Sequence, residues 1–268
     1  MEIFWIKLSK LYYKTFFETI KNSKEKISIF TPNPEILLAA KKDEKFKEIL
    51  KGWDYLVPDG IWIWAWYQIL DNRLPKFINF LLIPYYGLNL FIARKKLYKK
   101  YWWRIIWSIL TKDLVEYANL KWIWVTIIDR LQPEGGKWEE KQKNIVKNLK
   151  NKYPKATFHF YVFDWNNLDR IIEEINNTED IYLFSTQWLG DQEKTISKII
   201  WDLKNIKVAI GVGGSFDYIL WIKKRPPEIF VVLWLEWLWR LVLHPKRMAS
   251  RIWKALPVFL YEVIKSKK

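Results

Sequence analysis

Short apolar runs rich in β-branched residues alternate along this chain with longer segments of helical period, and this alternation constrains the fold more than any other feature. The runs that predict strands are residues 27–30, 55–57, 123–128, 157–162, 181–185 and 207–211. The segments that predict helices are residues 34–50, 61–70, 108–119, 138–152, 168–175 and 192–203. Strand and helix in turn are typical of an α/β fold with a Rossmann-like, doubly wound and mostly parallel sheet. Ligands of such folds bind in the loops that follow the strands.

The length of 268 residues, with 50% hydrophobic residues, is enough for one large domain with a sizeable core. We expect residues 1–225 to form the α/β core and residues 226–268 to form a basic helical C-terminal appendage that associates with a membrane. The aromatic and basic stretch 74–104 interrupts the alternation, and its composition predicts an insertion that lies at a membrane interface.

The formal net charge of +16 indicates an anionic partner, which could be nucleic acid, a phosphorylated substrate or a membrane surface. The sequence contains no helix-turn-helix, ribonucleoprotein or zinc-finger pattern, so we expect no nucleic-acid partner. A basic nucleic-acid-binding protein, or a non-catalytic membrane-binding protein of the same fold, remains the alternative to an enzyme. The chain has no cysteine, which excludes thiolate catalysis and disulfide bonds.

The N-terminal residues are mixed and charged, without the apolar run of a signal peptide. The two most apolar stretches, residues 77–93 and 229–243, are shorter than the roughly 20 residues that a membrane span needs. We therefore expect the protein to be cytoplasmic, and to lie on the inner face of the membrane rather than cross it.

Two polar loops follow the first two predicted strands. Asn33 and Pro34 suit the cap and first position of a helix, and a well-made cap is the structural interpretation. The functional interpretation places the Thr31 hydroxyl and the Asn33 amide beside a helix N-terminus, where they can bind a sugar or a phosphate. Asp59, in the second loop, either caps a helix or acts as a general base toward a hydroxyl group.

A third loop is rich in glycine and runs from Gly211 to Asp217. Glycines allow backbone N–H groups to approach a pyrophosphate, but the spacing matches neither the dinucleotide-binding fingerprint nor the P-loop. Gln192 and Glu193, after the preceding strand, add polar side chains at an otherwise ordinary helix start. The two histidines, His159 and His244, match no metal-binding pattern, so we expect structural roles for them and no metal site.

Seven motifs occur together in an order and at intervals that identify a known family. They read TPNPE, LVPDG, GDQE, GVGGSFD, KKRPPE, LEWLWRL and HPKR. As a set they resemble the WecG/TagA/CpsF family, glycosyltransferase family 26, over about residues 4–257 apart from the insertion. The resemblance implies an inverting, metal-independent hexosyltransferase without a cofactor. Such an enzyme moves N-acetylmannosamine, or a related sugar, from a UDP donor to undecaprenyl-diphosphate-linked GlcNAc in cell-surface polysaccharide or teichoic acid synthesis.

The resemblance also implies roles for individual residues. Asp59 matches the proposed general base of the family, and Thr31 lies beside it in the catalytic group. The matches to donor-binding residues are Asn33, Gln192, Gly213, Gly214 and Asp217, of which Asp217 is the expected uracil contact. The matches to the arginines that cover the diphosphate and reach the anionic membrane are Arg240 and Arg247, with Arg251 as a substitute where the chain has Ser250.

Tryptophan and glycine have exchanged their usual abundances. The chain has 19 Trp and nine Gly, whereas glycine ordinarily makes up about 7% of a protein. A UGA codon that means glycine in the source organism, but is translated as tryptophan, would produce this exchange. Glycines of the resembled family fall on Trp5, Trp62, Trp107, Trp188, Trp221 and Trp234, whereas Trp237 falls where the family has tryptophan. The alternative is a lineage that favours aromatic side chains at membranes.

We predict that the native protein has glycine at most of those six positions, and that protein made with tryptophan folds poorly and binds UDP weakly. The codons of the gene test this prediction, because UGA is required at the exchanged positions and UGG codons throughout would exclude the exchange. The mass of a peptide spanning residues 221–223, from protein isolated from its source, provides an independent measurement.

Overall fold

The computed structural model describes residues 2–9, 11–59, 62–92, 105–130, 136–188, 190–220, 222, 226–232 and 235–266. Its strands are β1 (Glu2–Ile3), β2 (Ile6–Lys7), β3 (Ile27–Phe30), β4 (Tyr55–Leu56), β5 (Trp124–Arg130), β6 (Thr157–Phe163), β7 (Tyr182–Ser185) and β8 (Val208–Gly211). The first two form an antiparallel hairpin, and the other six form a parallel sheet in the order β4-β3-β8-β7-β5-β6. The predicted α/β fold with a Rossmann-like parallel sheet is confirmed.

The helices up to the middle of the chain are α1 (Tyr13–Lys21), α2 (Pro34–Lys42), α3 (Glu44–Lys51), α4 (Trp62–Asp71), α5 (Lys76–Leu81), α6 (Ile83–Ile92) and α7 (Trp107–Lys121). Those that follow are α8 (Gly136–Lys152), α9 (Leu168–Asn176), α10 (Asp191–Ile199), α11 (Ser215–Ile219), α12 (Glu228–Val232), α13 (Glu236–Leu243) and α14 (Pro245–Ser266). A single 3-10 turn, Trp165–Asn167, precedes α9.

Helices cover both faces of the sheet, and each face has its own apolar core. Helices α2, α3, α9 and α10 pack on one face, together with the last turns of α14. Helices α1, α7, α8 and α11 pack on the other face. Every residue of β3, β7 and β8 is therefore buried, which explains why these strands read as continuous apolar runs instead of alternating patterns.

The six predicted strands of the sheet are confirmed to within two residues at each end, but one helix prediction was wrong. Residues 34–50 form two helices, because Asp43 leaves the helical conformation, with φ −118° and ψ 105°. Its carboxylate then accepts a hydrogen bond of 3.1 Å from the backbone N–H of Phe46 and caps α3. The hairpin β1–β2 and the helix α1 are additional elements that the apolar pattern did not predict.

The C-terminal residues join the core of the sheet domain. Phe259, Val263 and Ile264 of α14 are fully buried in the cluster that also contains α2. The predicted insertion begins with α5 and α6, and α5 packs against α14, where Lys76 Nζ donates to the Lys265 carbonyl over 3.2 Å. Residues 93–104 of the insertion lie outside the described residues. The division at residue 225 remains a prediction, and within the described part of the chain no helix is long and apolar enough to cross a bilayer.

Two tryptophans occupy backbone conformations that favour glycine. Phe4 and Trp5, with φ 50° and 65°, form the two-residue loop of the β1–β2 hairpin, a turn in which both central residues need positive φ and glycine is preferred at the second. Trp122, with φ 58°, ends α7. The N–H of Ile123 donates to the Ala118 carbonyl, as in the Schellman motif, and the N–H of Trp122 donates to the same carbonyl, as in the αL motif. In both motifs the left-handed position is usually glycine.

Other tryptophans fit their surroundings as tryptophan. Trp53 is buried, its ring lies 5.5 Å from that of Phe30, and its indole N–H donates to Ser197 Oγ over 2.8 Å. Trp5 and Trp122, by contrast, are 62% and 67% exposed. The backbone conformation therefore distinguishes well-packed tryptophans from exposed tryptophans at positions where glycine is expected. Trp5, one of the exposed tryptophans, is also among the six positions predicted to be glycine in the native protein.

We expect Trp122→Gly to stabilise the fold by about 0.5–1 kcal/mol, because it removes a left-handed strain of about 1–2 kcal/mol. The greater freedom of unfolded glycine and the loss of the contact between Lys155 Nζ and the indole ring offset part of this gain. Urea denaturation measures the difference.

Trp201→Gly is the matched control, because Trp201 is equally exposed at 68% but is not among the residues of positive φ. The control should be neutral or destabilising by up to about 1 kcal/mol. Equal destabilisation of both variants would show that Trp122 is not strained.

Candidate active site

The pairing of the strands brings four polar loops together at one edge of the sheet. β3 pairs in parallel with β4 on one side and with β8 on the other, and β8 pairs with β7. The carboxyl ends of these four neighbours lead into residues 57–59, 31–33, 212–214 and 186–188. The loops that the sequence singled out are therefore neighbours in space, at the position where α/β folds bind ligands.

The first two loops are joined by a backbone hydrogen bond. The N–H of Asp59 donates to the Pro32 carbonyl over 3.0 Å, which holds Asp59 beside Thr31 and Asn33. Thr31 is buried, whereas Asp59 is partly exposed at the mouth of the loops. The predicted helix cap is confirmed, because Asn33 Oδ1 accepts the N–H of Ile36 over 3.0 Å. The cap uses one lone pair of the Asn33 amide oxygen and leaves its NH2 group available to a ligand.

The glycine loop follows β8 and turns sharply into α11. Gly213 has a φ of 47°, and its N–H donates to the Ser185 carbonyl at the end of β7 over 3.2 Å. A side chain built on Gly213 would meet no atom within 4 Å, so the loop borders open space. Asp217 is buried, and its carboxylate lies over Gly214, 3.7 Å from the position that a Cβ atom would take there. The structure thus places the two predicted glycines and Asp217 in one turn.

Gln192 packs directly on the strand that feeds the glycine loop. A Cβ atom on Gly211 would stand 2.9 Å from Cδ of Gln192, so only glycine leaves room for this amide. Gln192 Nε2 donates to Glu193 Oε1 over 2.6 Å, and the other oxygen of Glu193 accepts the N–H of Gly190. Burial raises the pKa of Glu193 to about 7, while the hydrogen bond from Gln192 acts in the opposite direction. Gln192 Oε1 is buried and has no hydrogen-bond partner among the described residues.

One arginine of the appendage contacts the helix that follows the glycine loop. The guanidinium carbon of Arg240, in α13, lies 5.8 Å from the ring centroid of Tyr218, the residue after Asp217. This contact places a cation beside the turn that the resemblance assigns to the nucleotide. Arg247 and Arg251 belong to α14, but their side chains lie outside the described part of the structure.

The remaining polar features lie away from these loops. His159 is the third residue of β6, and its ring nitrogen lies 2.9 Å from the buried carboxylate of Asp180, which also accepts the Thr126 hydroxyl. His244 is exposed at the end of α13. A cavity of about 440 Å³ lies at the amino end of β4, where Trp5 and other residues line it. Within the described residues, no three His, Cys, Asp or Glu side chains are grouped to hold a metal ion.

Two residues of this cluster, Glu193 and Tyr218, received no functional role from the sequence. Glu193 lies inside the GDQE motif, so its position was visible, but nothing in the sequence showed that it would bond to its neighbour. Tyr218 meets Arg240 only through the folding of the appendage. The catalytic and donor-binding roles of the predicted residues remain predictions, although the structure brings those whose side chains it describes to one edge of the sheet.

A Rossmann-like sheet whose carboxyl edge carries a carboxylate and a glycine turn is typical of an α/β enzyme. Residues 1–85 and 87–268 match the model of the family described as Glycosyl transferase WecG/TagA/CpsF family. The chain therefore belongs to the WecG/TagA/CpsF family of glycosyl transferases, which confirms the resemblance seen in its motifs.

Two relatives carry the name N-acetylglucosaminyldiphosphoundecaprenol N-acetyl-beta-D-mannosaminyltransferase. The protein from Bacillus subtilis (strain 168) is 29% identical over 245 residues, which cover 90% of this chain and 80% of the relative. The protein from Staphylococcus aureus (strain NCTC 8325 / PS 47) is 24% identical over 261 residues, which cover 95% and 85%. The similarity thus extends over nearly the whole of this chain.

Proposed function

We propose that this protein is an inverting hexosyltransferase that moves N-acetylmannosamine, or a closely related sugar, from UDP to GlcNAc-diphosphoundecaprenol. The family membership and the names of the two relatives support this activity. The structural observation that carries it is the position of Asp59, hydrogen bonded through its backbone to the Thr31 loop and one strand away from the glycine turn. A nucleic-acid-binding function is not favoured, because the family match extends along almost the entire chain.

The carboxylate of Asp59 supplies the base that this reaction needs. A sugar hydroxyl is a poor nucleophile, and a positioned base that takes its proton contributes about 10²–10⁴-fold to the rate. In the proposed step the acceptor oxygen attacks the anomeric carbon of the donor and its proton passes to Asp59. The bond from that carbon to UDP breaks, and UDP leaves with the bonding electrons. One displacement of this kind inverts the anomeric configuration.

The negative charge that develops on UDP requires stabilisation, which we assign to protein groups instead of a metal ion. The glycine turn borders open space at Gly213, which lets a diphosphate come close to it, and Arg240 supplies a cation next to the same turn. Asp217, buried against Gly214, is the acceptor that we assign to the N–H of uracil.

Asp59→Asn should lower turnover by about 10²–10⁴-fold and leave the affinity for UDP nearly unchanged, because the amide keeps the shape of the side chain but accepts no proton. The measurement is transfer from a panel of UDP-sugars to a lipid-diphosphate GlcNAc acceptor. The assay uses full-length protein with glycine restored wherever the gene carries UGA.

Asp202→Asn, which removes an exposed carboxylate beyond the far end of α10, is the control and should retain full turnover. Equal rates for Asp59→Asn and the unmodified protein would remove Asp59 from the mechanism.

We propose further that the protein works peripherally on the inner face of the cell membrane, where a lipid-linked acceptor lies. Exposed apolar side chains gather on α5, α6 and the C-terminal helices, and α5 packs against α14. They include Phe77, Leu81, Tyr85, Leu88, Ile92, Val242, Val258 and Tyr261. Apolar side chains that insert among lipids, together with a basic surface attracted to anionic headgroups, give this kind of binding.

Phe77→Asp combined with Leu81→Asp should weaken binding to phosphatidylglycerol vesicles at least tenfold, because each apolar side chain contributes about 1.5–3 kcal/mol when it leaves water. We also expect vesicles to stimulate turnover of the unmodified protein, and this stimulation should fall together with vesicle binding. Vesicle co-sedimentation and the transfer assay provide the two measurements.

Leu120→Asp is the matched control, because Leu120 is exposed at 66% on α7, a helix of the other face. Equal loss of vesicle binding in the control would contradict the assignment of the membrane surface. Deletion of all residues after Pro226 is a poor test, since it would also remove the buried Phe259 and Val263 from the core.

A further inference from the structure

We infer that Glu193 is a positioning residue that fixes the amide of Gln192 with its carbonyl oxygen available to accept a hydrogen bond from the donor substrate. The inference rests on the proposed function and adds a residue and a direction to it. Gln192 would act as an acceptor for an N–H or O–H group of the nucleotide-sugar, not as a donor to its phosphates.

The orientation of the amide follows from its two neighbours. Gln192 Nε2 donates to Glu193 Oε1 over 2.6 Å, so the NH2 side of the amide is turned toward the carboxylate. The flat face of the amide lies against Gly211, where a Cβ atom would be 2.9–3.2 Å from Cδ, Oε1 and Nε2. The amide is thus confined in its plane, and its Oε1 atom is left buried without a partner among the described residues. A buried acceptor without a partner costs free energy that a ligand donor can recover.

Only a carboxylate satisfies the groups around position 193. Two donors converge on it, the NH2 of Gln192 and the backbone N–H of Gly190, and each takes one oxygen. The bond to Gly190 is the backward half of a capping box, and it ties the side chain to the first turn of α10. A glutamine at position 193 has one acceptor oxygen, so one donor would lose its partner or the amide of Gln192 would turn over. If the Gln192 amide turned over, its NH2 group would take the place of the carbonyl oxygen that is proposed to accept a hydrogen bond from the substrate.

Because Glu193 is buried, its hydrogen bonds are not an incidental contact between surface side chains. The side chain of Glu193 is fully buried, and it makes no ion pair among the described residues. Placing an ionisable group there is unfavourable unless its hydrogen bonds offset the desolvation. The two hydrogen bonds that oppose this desolvation come from Gln192 and from the backbone N–H of Gly190.

A double-mutant cycle tests the inference in the full-length protein. Glu193→Gln should lower kcat/KM for the UDP-sugar about tenfold in the otherwise unmodified protein, the loss expected for one misdirected hydrogen bond. In the Gln192→Ala background the same substitution should change kcat/KM less than about twofold, because no amide remains to be oriented. Urea denaturation of all four proteins reports the effect on stability separately. Glu173→Gln, which removes an exposed carboxylate on α9, is the control for charge alone and should change neither measurement.

Gly211→Ala provides a second route that leaves Glu193 intact and applies if Glu193→Gln does not fold. Its Cβ atom should displace the Gln192 amide, so that kcat/KM falls in the unmodified protein but changes less than about twofold in the Gln192→Ala background. Equal losses in both backgrounds, for either substitution, would overturn the inference and leave Glu193 a structural residue.

The failure of the inference and the failure of the proposed function give different results. An unmodified protein that transfers sugar, with additive effects at positions 192 and 193, contradicts the inference alone. A full-length protein without these substitutions, with glycine restored wherever the gene carries UGA, that transfers no sugar contradicts the proposed function. The cycle is then measured on the affinity for UDP-sugars by calorimetry, where a coupling near zero overturns the inference and a tenfold coupling supports it.

Discussion

The parallel pairing of β3 with β4 on one side and β8 on the other is the interaction on which the rest of this structure depends. Because the strands are buried on both faces, their register is fixed by the packing of two cores, and a slip of one residue would turn every side chain to the wrong face. The same register aligns the strand ends. Loops that are distant in sequence therefore meet at one edge, and the backbone bond from Asp59 to Pro32 holds two of them together.

Much of the fold was predictable because its strands are short, apolar and separated by helical periods, and the loops of interest could be found because each follows such a strand. Local capping also set boundaries that the apolar pattern could not show, as at Asp43, where one predicted helix became two. The contact of Arg240 with Tyr218 and the packing of Gln192 on Gly211 were beyond prediction, because each joins segments through tertiary structure. The roles assigned to Asp59 and its partners come from the family and stay predictions.

The tryptophans show a conflict between residue and backbone that natural sequences usually avoid. Trp5 stands in a hairpin turn and Trp122 in a helix terminus, and both positions require the conformation that glycine adopts without strain. A preference for aromatic side chains at a membrane would not direct them to left-handed backbone positions. Trp122 was not among the positions matched to family glycines, so the backbone gives evidence that is independent of the family. Trp53, which packs and bonds well, shows that the exchange does not extend to every tryptophan.

The helix α13 links the two properties that the proposed reaction must combine, binding of a nucleotide and access to a lipid. Arg240 contacts Tyr218 beside the glycine turn, and two and three residues later Val242 and Leu243 expose apolar side chains to solvent. Because α13 has only eight residues, Arg240 and the exposed apolar side chains are held on one short helix and move together. Contact of Val242 and Leu243 with lipid would therefore restrict the position of the cation at the nucleotide turn. In the proposed mechanism, in which protein groups stabilise the charge on UDP, that restriction would favour charge stabilisation at the membrane over charge stabilisation away from it.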